Sequence, residues 1–130
     1  NMDNVLGLRA GVQAAQIFVD DKDFKRARSI LEAVLLNASK DLDFYQTQVR
    51  AMYISILEEL GEKDKALSEA DLAVQLVPSY LKAGALIVQA RTYMHSGKTE
   101  EAKKLFQKIM KEHSASREAS SARAFYNLLR

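Results

Sequence analysis

The chain has 130 residues, 48% of them apolar and 28% charged, the balance of one soluble domain with room for a core and unlike a disordered tail. Nineteen Lys and Arg against seventeen Asp and Glu leave a formal charge of +2, too weak an overall field to imply nucleic acid or an anionic membrane as partner. The absence of Cys excludes disulfides, thiolate chemistry and Cys-bound zinc while leaving the compartment open, cytoplasmic or periplasmic. No apolar run approaches the roughly 20 residues of a spanning helix, so no membrane insertion is expected. The sequence begins at Asn1 without a basic stretch followed by an apolar one, which reads as a domain cut from something longer.

One Pro and five Gly among much Ala, Leu, Lys, Glu, Gln and Arg predict an all-α fold, because those residues lose little on entering a helix. A first helix is expected over about Asp3 to Val19, ended by the polar cluster Asp20, Asp21, Lys22 and Asp23. A second continues to about Leu36, where Asn37, Ala38 and Ser39 interrupt. A third, from about Asp41 to Leu60, carries Leu42, Tyr45, Val49, Met52, Tyr53, Ile56, Leu57 and Leu60 in steps of three and four, one apolar stripe. Gly61 is a natural left-handed stop. The fourth spans about Asp64 to Leu76 and ends before Pro78, whose ring disfavours helix at the preceding residue. Ser79 is then expected to N-cap a fifth helix, about Tyr80 to His95, closed by Gly97. Thr99 opens a sixth, to about Glu112, and the break at Ser114, Ala115 and Ser116 precedes a seventh, about Arg117 to Leu129.

Helix pairs joined by tight turns prompt a search for a repeat. Gly61 to Gly97 and Ala66 to Ala102 are both steps of 36 residues. One copy has Leu60, Gly61, Ala66, Ala70, Ala73 and Pro78; the next has Tyr93, Gly97, Ala102, Phe106 and Ile109. A looser first copy has Phe18, Ala27, Leu31 and Val34, 39 residues before the second at its alanine. A small residue at one place and a larger apolar one a turn later suits close crossing of paired antiparallel helices.

On these residues the chain resembles the tetratricopeptide repeat family. Its 34-residue pattern asks for a small residue at position 8, an aromatic at 11, Gly at 15, Ala at 20, an aromatic at 24, Ala at 27 and Pro at 32. Ala90, Tyr93, Gly97, Ala102 and Phe106 occupy 8, 11, 15, 20 and 24 of one copy, and Gly61, Ala66, Ala73 and Pro78 occupy 15, 20, 27 and 32 of another. The first copy departs most, with Lys22 in place of Gly and Ser39 in place of Pro. Position 4, usually a large apolar residue, holds Gly11, Arg50 and Leu86. The resemblance implies an all-α, right-handed α-solenoid of about three repeats (8–40, 47–80 and 83–115) and a terminal helix over 117–129, forming a single domain over 1–130.

No catalytic, cofactor or metal site is expected. His95 and His113 lack His-x-x-x-His or Glu-x-x-His spacing. The adjacent pairs Glu58 with Glu59 and Glu100 with Glu101 splay about 100° apart around a helix. Ser114, Ser116, Ser120 and Ser121 suit caps and helix surfaces, with no base beside them.

Charge is uneven along the chain. Asp41 to Asp71 holds eight acids and three bases, whereas Lys98 to Arg130 holds eight bases and four acids. Solvated helix faces account for this, as do a partner of complementary charge or head-to-tail association of the chain with itself into a homo-oligomer. Nucleic acid is not the expected partner, because Phe106, Phe125 and Tyr126 fall on core stripes and are not free to stack on bases.

The resemblance implies a module that binds a protein or peptide through a concave groove lined by the first helix of each pair, at positions 2, 5, 9, 12 and 13. These are Arg9, Val12, Gln16, Val19 and Asp20 in the first copy, Gln48, Ala51, Ser55, Glu58 and Glu59 in the second, and Gly84, Ile87, Arg91, Met94 and His95 in the third. A subset of the family grips a peptide's C-terminal carboxylate with cationic and amide side chains. The matching Val12, Gln16, Met52, Gly84 and Val88 include no cation, so a segment with apolar anchors and a basic residue is expected instead. The other role open to such a chain is a spacer or assembly element of a longer repeat protein.

Overall fold

The computed structural model describes the backbone over residues 2–37 and 43–130 and the side chains over 9–36 and 46–130. Among the described residues there are seven α-helices and no strand: α1 (Met2–Asp20), α2 (Phe24–Asn37), α3 (Asp43–Glu59), α4 (Lys63–Leu76), α5 (Lys82–His95), α6 (Thr99–Glu112) and α7 (Arg117–Leu129). The expected break at Ala38 and Ser39, the start of the third helix at Asp41, and the side chains of Leu42 and Tyr45 lie outside the described residues. The chain divides into two compact units, 1–66 and 67–130, with the boundary inside α4.

The same turn closes three helices. At Lys22, Gly61 and Gly97 the backbone enters the left-handed region, with φ of 60°, 78° and 80°. At each, the following residue's N–H reaches back five residues: Asp23 to the Phe18 carbonyl at 2.7 Å, Glu62 to Leu57 at 2.9 Å and Lys98 to Tyr93 at 3.0 Å. The left-handed residue's own N–H bonds three back, to Val19, Glu58 and Met94, so orphan carbonyls at each helix end are satisfied in the Schellman manner. Four residues after the reaching N–H come Ala27, Ala66 and Ala102, each fully buried, where only a Cβ fits between crossing helices.

Lys22 thus occupies a glycine conformation. A left-handed L-residue costs about 1–2 kcal/mol, more than the roughly 0.4–1 kcal/mol by which glycine's freedom favours the unfolded chain. Lys22→Gly is therefore expected to stabilise the fold by about 0.5–1 kcal/mol, read as a higher urea midpoint at unchanged slope.

In the first unit α1 packs on α2, α2 on α3, and α1 also touches α3. Ala15, Leu31, Val49, Tyr53, Ile56 and Leu57 are buried there. Ile54, outside the expected stripe of the third helix, is buried as well, so α3 buries a wider arc than one stripe. Gly11 faces α2: a Cβ there would run into Cγ2 of Val34. Glycine stands where the family prefers a large residue because the two backbones approach closely, and Val34, β-branched in a helix, has one favoured rotamer with which to yield.

In the second unit α5 packs on α6, α6 on α7, and α5 also touches α7. Leu86, Ala90, Ala102, Phe106, Ile109 and Ala122 form its core, with Val74, Tyr93, Phe125 and Leu129 packed against it. Phe106 and Phe125 stack at 5.4 Å between ring centroids. Ser116 caps α7, its hydroxyl accepting from the Ala119 N–H at 3.3 Å.

Ser79 does not cap the fifth helix. Residues Ser79–Leu81 make a single 3-10 turn begun by the Pro78 carbonyl, which accepts from the Leu81 N–H at 3.0 Å, and α5 starts only at Lys82 with no side-chain cap. The extended backbone of Pro78 (φ −68°, ψ 167°) takes the capping place, so Ser79 falls inside the turn. Lys82 turns its ammonium back to the Val74 carbonyl at 2.6 Å, satisfying an orphan acceptor at the end of α4.

Candidate protein-interaction surfaces

The groove positions lie on α1, α3 and α5, and each unit presents its own part of them. In the first unit Arg9, Gln16, Asp20, Gln48, Ser55 and Glu59 are exposed, whereas Val12, Val19, Ala51 and Glu58 are half-buried. Two of the exposed polar groups are turned along their own helix. The Gln16 amide donates to Asp20 at 2.9 Å, and the Ser55 hydroxyl donates to the Ala51 carbonyl at 3.2 Å. In the second unit Arg91 and His95 are exposed and Gly84 is half-buried. The half-buried Ile87 and Met94 pack against the core, leaving only part of each side chain to a ligand. The Arg91 guanidinium lies over the Phe125 ring at 5.7 Å, a contact that directs an exposed cation toward the face shared by α5 and α7.

A second set of polar contacts, not evident from periodicity within any helix, ties each pair to the helix that follows. Glu32 on α2 accepts from the Tyr53 hydroxyl on α3 at 2.7 Å. Asp71 on α4 accepts from Tyr93 on α5 at 2.9 Å and from the Gln89 amide at 2.9 Å. Gln107 on α6 donates to the Tyr126 hydroxyl on α7 at 3.1 Å. Glu32, Asp71 and Gln107 each stand five residues after the buried alanine of the second helix. That place, followed 19 to 22 residues later by a Tyr, is the signal that would have found them.

The first link sits in a charged cluster. Lys65 reaches Glu32 at 3.4 Å, and Arg28, one turn away, pairs with Glu62. The Tyr53 hydrogen bond, followed by Lys65 and Arg28, holds the Glu32 carboxyl below its usual value of 4.5 against a smaller opposing effect of burial. Burial first, and then the Glu32 carboxylate, push the Tyr53 phenol above its usual 10.0, and burial with Asp71 does the same to Tyr93.

Because the folded Glu32 titrates lower than the unfolded one, its contribution to stability is present above about pH 4.5 and is lost as pH falls through the folded value. Tyr53→Phe removes the largest cause. The Glu32 carboxyl, followed by NMR through the acid range, is expected to titrate higher in Tyr53→Phe than in the unaltered chain. An unshifted midpoint would mean that the phenol does not hold the carboxylate.

Among the described residues no group of His, Asp and Glu is placed to hold a metal ion, and no helix is long and apolar enough to cross a membrane. His95 ends α5, while the carbonyl of His113, the residue after α6, accepts the Ser116 hydroxyl at 2.6 Å.

A family model for the tetratricopeptide repeat matches residues 85–116, which run from the first turn of α5 through α6 to the cap of α7. No curated protein matches the chain. Repeats of this kind act as protein-interaction or scaffold modules and are generally non-catalytic. With the matched repeat, the thrice-used left-handed turn and helices packed in neighbouring pairs, the chain is similar to tetratricopeptide-like repeat proteins, the family match itself covering residues 85–116.

Proposed function

We propose that the chain binds a partner protein through the exposed faces of the first-of-pair helices within each of its units. The observation that carries this reading is that α1 touches α3 in the first unit and α5 touches the terminal helix α7 in the second, while Gln16, Gln48, Ser55, Glu59, Arg91 and His95 remain exposed on α1, α3 and α5. These side chains are not consumed by the core. Val12, Ile87 and Met94 offer partial apolar footing beside them, and the charges of Glu58, Glu59 and Arg91 select the partner's polar groups. The test is affinity capture from the source cell with the unaltered chain and with the double variant Ser55→Arg, Arg91→Glu. A defined set of proteins retained by the first and lost by the second supports the groove. Retention of the same set by both refutes it.

A scaffold role is the second reading, in which the chain is a spacer or assembly element, self-associating through its oppositely charged halves or stacking on further repeats. It draws support from Leu36 on α2 and Leu128 on α7, which are 85% and 78% exposed. Sedimentation at low and high salt checks it: a single monomeric species at both would remove the self-associating form.

A further inference from the structure

The link between α6 and α7 differs from the other two in charge. Glu32 and Asp71 meet their tyrosines with a carboxylate, whereas the equivalent place on α6 holds the amide of Gln107. That substitution removes a negative charge where two helices bring cations together. Lys103, Lys104 and Lys111 stand three or four residues from Gln107, and Arg123 stands three residues before Tyr126, so the 3.1 Å bond from Gln107 to Tyr126 gathers them at one surface. Lys103 lies over the Tyr126 ring at 6.0 Å and meets the exposed Glu100 at 3.7 Å. Lys104, Lys111 and Arg123 are exposed and make no ion pair among the described residues. The unit from Leu67 to Arg130 carries ten Lys and Arg against six Asp and Glu, so the balance around the patch is basic even with Glu100 paired to Lys103.

We propose that this α6–α7 seam docks an acidic segment of a partner protein, with two carboxylates set about two helical turns apart to meet Lys104 and Lys111 and a further one for Arg123. The surface lies apart from the groove positions, since α6 is a second-of-pair helix. Individual exposed ion pairs contribute little, so recognition rests on several acting together and weakens with salt. A nucleic acid fits poorly. Tyr126 is half-buried under Lys103, and Phe125 is stacked on the buried Phe106, which leaves no free ring face for a base.

The experiment titrates the whole chain with a labelled glutamate-rich helical peptide at about 0.15 M salt, alongside an oligothymidylate and phosphatidylserine vesicles. Gln107→Glu is the sharpest variant. It restores the carboxylate-to-tyrosine arrangement already present at Glu32 and Asp71, so the fold and Tm should persist while affinity for the peptide falls severalfold. Arg123→Glu should lower affinity about tenfold, and Lys25→Glu, on α2, should leave it unchanged. Equal affinity in Gln107→Glu and Arg123→Glu, an equal loss in Lys25→Glu, or tighter binding of the oligonucleotide or vesicles would overturn the proposal. So would loss of peptide binding through self-association of the chain, which would assign the seam to a second copy.

Discussion

Phe106→Ala is expected to cost about 3–5 kcal/mol, a large part of the stability of a domain this size. Phe106 is fully buried at the centre of the Leu86, Ala90, Ala102, Ile109 and Ala122 cluster. Its ring also stacks on Phe125 of α7 at 5.4 Å with 20° between planes. Truncation therefore removes apolar burial, leaves a void among helices whose closest crossing, at Ala102, is already down to a Cβ, and deprives Phe125 of its stacking partner. Phe125 in turn carries Arg91 at 5.7 Å, so the exposed cation on α5 loses its support as well. Urea titration gives the overall loss. Hydrogen exchange locates it: amides of α5, α6 and α7 should lose more protection than those of α1 and α2. A loss below about 1 kcal/mol, or one spread evenly over both units, would mean that the core is not organised around this ring.

The features legible in the sequence are those that a single residue decides. A left-handed turn favours glycine, and a crossing with room only for a Cβ needs alanine; Gly61, Gly97, Ala66 and Ala102 therefore mark the repeat in the sequence. Lys22 could only be read as a departure. Its φ of 60°, its own N–H bond to the Val19 carbonyl and that of Asp23 to Phe18 show that it performs the glycine's part. Gly11 read as a mismatch because the reason for it lies in Val34, on another helix. Ser79 has the side chain of a cap, but its neighbour's backbone takes the place, because the extended Pro78 begins a 3-10 turn that encloses Ser79.

The seam links escaped for a further reason. Each joins two helices across a connection of variable length, so the interval from Glu32 to Tyr53 differs from that between Gln107 and Tyr126, and no periodicity within one helix records it. The groove positions were legible as addresses on helices only. Whether a residue there faces solvent or leans on the core depends on the neighbouring helix, and Ile87 and Met94 lean on it.

The terminal helix provides the second large effect, and two adjacent leucines test it. Leu129 packs against the core of the second unit, whereas Leu128, one residue before it, is 78% exposed. Both lie in the last turn of α7, where a negative charge opposes the helix dipole by about 0.3–1 kcal/mol at either position. Only at 129 does an aspartate also give up apolar contact and bring a carboxylate against the core without a partner. Leu129→Asp is therefore expected to cost about 2–3 kcal/mol and Leu128→Asp about 0.5 kcal/mol. Loss of α7 would uncover Ala122 and Phe125, so the first variant should also raise hydrogen exchange across α7 and weaken the bond between Gln107 and Tyr126, which NMR of the tyrosine ring would follow. Equal costs for the two substitutions would show that the charge in the last turn, and not packing on α6, sets the response, and that α7 is not held as a cap on the second unit.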